Sequence, residues 1–350
     1  MIKISDYNNA IKFICGEIIK FPKNLQPQSF YRAGNVGSPG ISDLDLIFSF
    51  KDDFRYGKQF IDLFNDIKKQ INHNEIFFLH LPHVFPHSLF KELPYFSFNP
   101  VNDLELIYGK SVFNKNVEIS KDQALIRSME FIHARIIDLL IQSYTKKIDQ
   151  KNILVVGHSL IHSLNAINYI NPKLKLDSHN FKTFCKIENY REKITQGVKI
   201  IIDQEECQKL YKGICAEFFY LLNHYYNEIE KKVAFHWSRN FDYYMYHHNV
   251  ILRNLKRRGK DLHINMHDGL YEIRGFSWEM LCLSDNFFLK DKDFSTVFID
   301  QDFKEEILKK RNYLRKLFEF NMINFGNSFG RSSFRAYALG PFQDYFSIKM

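Results

Sequence analysis

Apolar residues recur at helical spacing from the start of the chain. Ala10, Ile11, Ile14 and Ile18 form one stripe, and Ser5 or Asp6 is placed to cap a helix over residues 5–20. Pro22 and Pro27 bound the connector that follows. The pattern then shortens to a strand through Ser29–Ala33, a polar glycine-containing loop over 34–42 and a second strand over 43–50. Helical period returns over 54–72, with Phe60, Leu63, Phe64, Ile67 and Ile71 on one face. The run Glu75–Leu81 predicts a third strand, and Pro82 and Pro86 are expected to interrupt regular structure after it. Strand, loop, strand, helix and strand in this order make a small mixed sheet with helices packed against it.

Near residue 118 the character changes from mixed to mostly helical. Ser120 is placed to cap a helix whose apolar positions include Leu125, Met129, Ile132, Ile136, Leu139 and Leu140. Further helical periodicity covers 153–171, 204–230, 237–257 and 303–324, and Gly326 stands where a glycine would end the last of these. One exception is His263–Ile273, where Asp268-Gly269 between short alternating runs predicts a hairpin. The expected fold is α+β: a mixed-sheet domain over 1–118, then a mostly helical domain over 119–350 with a short hairpin near 263–273.

Composition narrows the class. The 350 residues are 45% hydrophobic and 25% charged, which fits a globular chain rather than a disordered one. The 35 Phe and 19 Tyr make aromatic burial the expected basis of the core. No uninterrupted apolar run approaches the roughly 18 residues that suggest a membrane span. The N-terminus lacks a basic segment followed by an apolar one, so no signal peptide and no membrane partner are expected. Cys15, Cys185, Cys207, Cys215 and Cys282 form no CxxC pair, as expected of buried thiols in a reducing, cytoplasmic compartment. A net charge of +8 permits an anionic partner but does not identify one.

The chemistry concentrates in one stretch, Tyr31-Arg-Ala-Gly34-Asn35-Val-Gly37-Ser38-Pro-Gly40-Ile-Ser42-Asp43-Leu-Asp45. On a strand, residues two apart share a face, so Asp43 and Asp45 would present two carboxylates together while Leu44 and Leu46 face the core. Two such charges ~5 Å apart repel by roughly 3 kcal/mol at an effective dielectric of about 20. A divalent cation removes that repulsion and turns the pair into a binding site. Gly34, Asn35, Gly37 and Ser38 precede the acids, and a glycine-rich loop lets backbone N–H groups approach a triphosphate.

This pattern resembles the DNA polymerase beta-like nucleotidyltransferase superfamily, whose signature is Gly-Ser on a loop followed by Asp-hydrophobic-Asp/Glu on the next strand. Gly34-Asn35 matches the Gly-Ser pair with Asn for Ser, Gly37-Ser38 is an alternative closer to the acids, and Asp43 and Asp45 match the two metal ligands. Leu104-Glu-Leu-Ile-Tyr-Gly109 resembles the strand that commonly follows the catalytic sheet. The likeness covers about residues 27–110. It implies Mg²⁺ or Mn²⁺, a nucleoside triphosphate as substrate, and transfer of a nucleoside monophosphate to a hydroxyl or phosphate of a small-molecule or phosphorylated acceptor. The family also carries a third carboxylate on the next strand. Here that position falls near His80, leaving Glu75 as the strand's acid and Asp103 and Glu105 as further candidates. The alternative is a non-catalytic nucleotide- or RNA-binding protein on a degenerate form of the same fold.

Weaker groupings complete the reading. His80, His83 and His87 are separated by prolines and are not expected to bind zinc. His158 and His162 read as polar-face helix residues, and Ser159 lacks the second glycine of a nucleophile elbow. Arg253, Lys256, Arg257, Arg258 and Lys260 follow Tyr243, Tyr244 and Tyr246, a mixture suited to RNA or a phosphorylated acceptor. Arg331 and Arg335 fall in a Ser/Gly-rich stretch that reads as coil, with a phosphate-binding loop as the alternative.

Overall fold

The computed structural model describes residues 2–34, 36–78, 82–96, 104–113, 117–128, 149–233 and 299–338. They belong to two compact units, one containing Met1–Glu118, Arg191–Ile200 and Tyr313–Tyr337, the other Ile119–Tyr190, Ile201–Asn312 and Ala338–Met350. Secondary structure is mixed: helices and one four-stranded mixed sheet.

The first unit begins with α1 (Ile4–Ile18), β1 (Ser29–Ala33), β2 (Asp45–Phe50), α2 (Gly57–Lys69) and the single-turn α3 (Asn74–Phe77). It continues with β3 (His83–Pro86), α4 (His87–Phe96) and β4 (Leu104–Gly109). The strand order is β3-β2-β1-β4, with β1 antiparallel to β2 and β4, and β2 parallel to β3. Alternation sends Phe30, Leu46, Phe48, Phe50 and Val84 to one face, where they join Tyr7, Ile11 and Ile14 of α1 and Phe60, Phe64 and Ile67 of α2. The rings interlock: Phe30 stacks on Phe48 at 4.6 Å, and Phe48 meets Phe60 edge to face at 5.1 Å. On the other face Tyr31 and Phe85 meet Phe90 of α4 at 5.2 and 5.3 Å.

Three expectations are corrected. The predicted strand Glu75–Leu81 is helical over Asn74–Phe77, and the third strand is His83–Pro86. A short apolar run carries no periodicity that separates helix from strand, which is why the assignment slid. Pro82 and Pro86 do not exclude the strand, because one precedes it and the other ends it at the sheet edge, where a missing N–H costs little. The loop between β1 and β2 also runs to Leu44, so only Asp45 of the two aspartates starts the strand.

The described elements of the second unit are helical. The segment 121–128 opens on Ser120, whose Oγ accepts from the Gln123 amide at 3.1 Å while Gln123 Oε1 accepts from the Ser120 amide at 3.0 Å. Then come α5 (Gln150–His158), α6 (Leu160–Ile170), α7 (Lys182–Thr195), α8 (Gln204–Ile229) and α9 (Gln301–Ala338), with α7 and α9 each contributing residues to both units. Lys232 ties the unit together by reaching Asp122 at 3.0 Å and Asp300 at 2.6 Å. Among the described residues, Gln150–Ile170 is long and apolar enough to cross a membrane, and most of its apolar side chains are buried within the protein. The predicted end at Gly326 is overturned, since α9 passes through it and carries Arg331 and Arg335 in place of the expected coil. A glycine inside a helix costs only about 1 kcal/mol relative to alanine, too little to stop one by itself. The segment 237–257 and the hairpin at 263–273 lie outside the described residues.

Gly109 ends β4 with φ +89°, and a Cβ there would stand 2.0 Å from the carbonyl oxygen of Gln28. Gly109→Ala is expected to destabilise the protein by about 2–4 kcal/mol in urea denaturation, from backbone strain and overlap together. Gly16→Ala, on an open face of α1, is expected to be neutral or slightly stabilising. Equal effects would contradict this account of Gly109.

Candidate functional site

The loop from Gly34 to Leu44 joins two antiparallel strands and is held by a residue far away in sequence. Tyr7 of α1 is fully buried, with its ring 4.3 Å from that of Phe77. Its hydroxyl donates to the Ser42 carbonyl at 2.6 Å and accepts from the Gly40 amide at 3.0 Å. Ser38 closes the turn: its carbonyl accepts from the Ile41 and Ser42 amides, and its own amide donates to Ser42 Oγ. Gly40 holds φ +86° and Gly34 +68°, the left-handed conformation that glycine adopts without strain. A Cβ at Gly34, Gly37 or Gly40 would meet nothing within 4 Å, so the loop presents bare backbone to open space. Among the described residues no hydrogen bond uses the Gly37 amide. Asn35 lies outside the described residues.

The acids follow the loop. The Leu44 amide donates to the Phe77 carbonyl at 2.7 Å, which fixes the backbone between Asp43 and Asp45. Asp45 pairs with Ala33 across β1, and its side chain is 46% exposed. Asp43 lies two residues earlier, and its charge is felt at the Tyr7 hydroxyl. Burial pushes the Tyr7 phenol above its usual value, the Gly40 amide pulls back, and Asp43 and Asp6 push further up.

His83, which the sequence offered only as a member of a histidine group not expected to bind zinc, lies beside Asp45. On β3 it pairs in register with Ile47, two residues beyond Asp45 on the same face of β2. Its side chain is 8% exposed, and Nε2 lies 3.9 Å from Asp45 Oδ1. The other candidates for a third acid are not on that strand. Glu75 is exposed on α3, a correction to its predicted strand position. Glu105 sits on β4, on the far side of β1 from β2, and binds Arg32 at 2.6 Å. Asp103, His80 and the basic cluster at 253–260 lie outside the described residues.

No three His, Cys, Asp or Glu side chains come together as a metal-ligand set among the described residues. Mg²⁺ at nucleotide sites takes one or two carboxylates and completes its octahedron with phosphate oxygens and water. The donors at Asp43 and Asp45 are the hard oxygens this requires, so the acids fit such an ion bound together with a nucleotide. A surface cleft of about 430 Å³ lined by Asp62, Asn65, Asp66, Lys68, Lys69 and Asn74 shares no residue with the loop or the acids. In the helical unit His158 Nδ1 meets Glu188 of α7 at 2.8 Å, an acidic partner that helix spacing did not reveal. The Ser159 hydroxyl donates to the Val156 carbonyl.

Comparison with protein-family models, with curated proteins and with solved structures finds no match to this chain.

Tyr7→Phe removes the donor to Ser42 and the acceptor for Gly40, and is expected to cost about 1–3 kcal/mol in denaturant unfolding. A phenol whose pKa is raised in the folded state contributes stability that is present below its unfolded value, near 10. That contribution is lost as pH rises through the folded value. Wild-type stability is therefore expected to fall above about pH 10, with this component missing in Tyr7→Phe. Parallel stability–pH curves for the two proteins above pH 10 would refute this role of Tyr7.

Proposed function

We propose that the chain is a metal-dependent nucleotidyltransferase, moving a nucleoside monophosphate from a nucleoside triphosphate to a hydroxyl or phosphate of a small-molecule acceptor. One observation carries this reading: a bare-backbone glycine loop, pinned by Tyr7, leads directly into Asp43 and the half-exposed Asp45. In this reading the loop amides receive the triphosphate and the two aspartates hold Mg²⁺ or Mn²⁺. The acceptor oxygen attacks the α-phosphorus, the new P–O bond forms as the bond to the bridging oxygen breaks, and pyrophosphate leaves. The acceptor proton passes to a base or to water. The metal, when bound, would neutralise charge on the phosphates and on the entering and leaving oxygens. The described cysteines are free thiols, which supports a reducing, cytoplasmic setting.

A second reading has an observation of its own. The described strand beside Asp45, His83–Pro86, carries a histidine and no acid, and this favours a non-catalytic nucleotide- or RNA-binding protein.

Asp43→Asn and Asp45→Asn are each expected to abolish product formation while leaving the fold intact by circular dichroism. Products are read by mass spectrometry after incubation with each ribonucleoside triphosphate, Mg²⁺ or Mn²⁺ and a metabolite extract. Glu75→Gln is expected to leave turnover unchanged. Equal product from wild type and Asp43→Asn would end the enzyme reading. A nucleotide at a hundredfold excess over Kd is expected to stabilise the native state by about 2.7 kcal/mol. Such stabilisation without product would favour the second reading, and a melting temperature unmoved by any nucleotide would count against both.

A further inference from the structure

We infer that Arg32 is the cation of the glycine loop, gripping a phosphate group of a bound polyphosphate, and that Glu105 is a built-in competitor which the phosphate displaces. The assignment rests on reading the loop as the phosphate-binding element. It names the side chain that holds the anion and the one that holds it off.

Placement is the first reason. Arg32 pairs with Leu46 on β2 and with Glu105 on β4, so all three share the sheet face that carries Phe30 and the core. The loop turns over that same face: Val36 packs against the core cluster, and Tyr7, within the cluster, holds Gly40 and Ser42. Arg32 is the last residue of β1 on that face, two positions before Gly34. Charge is the second reason. Asp43 and Asp6 both act on the Tyr7 hydroxyl that anchors the loop. Backbone amides in that negative field need a cation before they hold a polyanion, and Arg32 is the cation of the strand that enters the loop.

The ion pair itself is the third reason. Arg32 Nη2 donates to Glu105 Oε2 at 2.6 Å. Nε lies on the same edge of the guanidinium, buried and with no hydrogen-bond partner among the described residues. An anion that filled this edge would accept from both nitrogens in parallel. Glu105 leaves Nε unused, and its side chain is 54% exposed where that of Arg32 is 17% exposed. An ion pair with one exposed partner is weak, so the acid swings into water readily while the guanidinium stays in place. A phosphate with two oxygens on the vacated edge satisfies Nε as well as Nη2, and relief of an unpaired buried donor favours the exchange.

The test is calorimetric titration of the full chain with inorganic tripolyphosphate, with and without Mg²⁺. Glu105→Gln removes the competing charge at an exposed side chain and should tighten binding about two- to fivefold. Arg32→Lys keeps the charge and loses the fork, and should weaken binding roughly tenfold. In the Arg32→Gln background, Glu105→Gln should give no comparable gain, because the group competed for is gone. In NMR spectra of the arginine side chains, the Nε signal absent from Arg32→Lys should shift when tripolyphosphate is added to wild type. A purely structural ion pair would leave that signal in place. Equal affinities of wild type and Glu105→Gln would overturn the competition, as would an equal gain in the Arg32→Gln background. Tripolyphosphate bound alike by wild type and Arg32→Lys leaves the loop as the phosphate site and removes Arg32. No tripolyphosphate bound by wild type or by Glu105→Gln, with or without Mg²⁺, removes the loop reading and the role of Arg32 together.

Discussion

Burial of β2 on both faces is the constraint from which the first unit follows. Leu46, Phe48 and Phe50 pack among the aromatic rings of α1 and α2, while Ile47 and Ser49 are covered on the opposite face. A strand enclosed in this way can carry a charged residue only where the cover ends, because an uncompensated buried carboxylate is prohibitively costly. Asp45 occupies that end, the first residue of the strand. The position of the acid therefore results from how the core closes around the rest of β2.

Tyr7 links the core to the loop. Its ring is part of the buried cluster, and its hydroxyl satisfies a donor and an acceptor in the turn that precedes the acids. A buried phenol needs such partners, and a glycine-containing loop needs an anchor if it is to keep one shape. The same hydroxyl meets both needs, so loop geometry and core packing are coupled. The negative field of Asp43 at Tyr7 shows how close the anchor lies to the candidate chemistry.

Changes of secondary structure around the third strand alter which residue faces Asp45. With the strand at His83–Pro86 and not at Glu75–Leu81, Glu75 moves to an exposed helical turn and an imidazole takes its place. On the opposite flank, β4 lies against β1, and Glu105 neutralises Arg32. Among the described residues, the imidazole of His83 lies 3.9 Å from Asp45 on the strand beside it.

Much of this was determined by local sequence. The stripe Ala10, Ile11, Ile14 and Ile18 defines α1, the glycine loop separates β1 from β2, and Ser120 caps its helix, because period, turn chemistry and capping act over a few residues. Asp43 and Asp45 stood out for the same reason, as charges two apart beside an apolar strand. Only the tertiary structure decided the rest. Tyr7 is one more apolar position on α1 until the loop folds over it, 33 residues away from Gly40. His83 gains its meaning from parallel pairing with β2, and Glu188 from its approach to His158 between two helices. Arg191–Ile200 and Tyr313–Tyr337 join the first unit although more than seventy residues separate them from its N-terminal part. Such contacts depend on burial shared between distant segments, and no local pattern along the chain records which segments will share it.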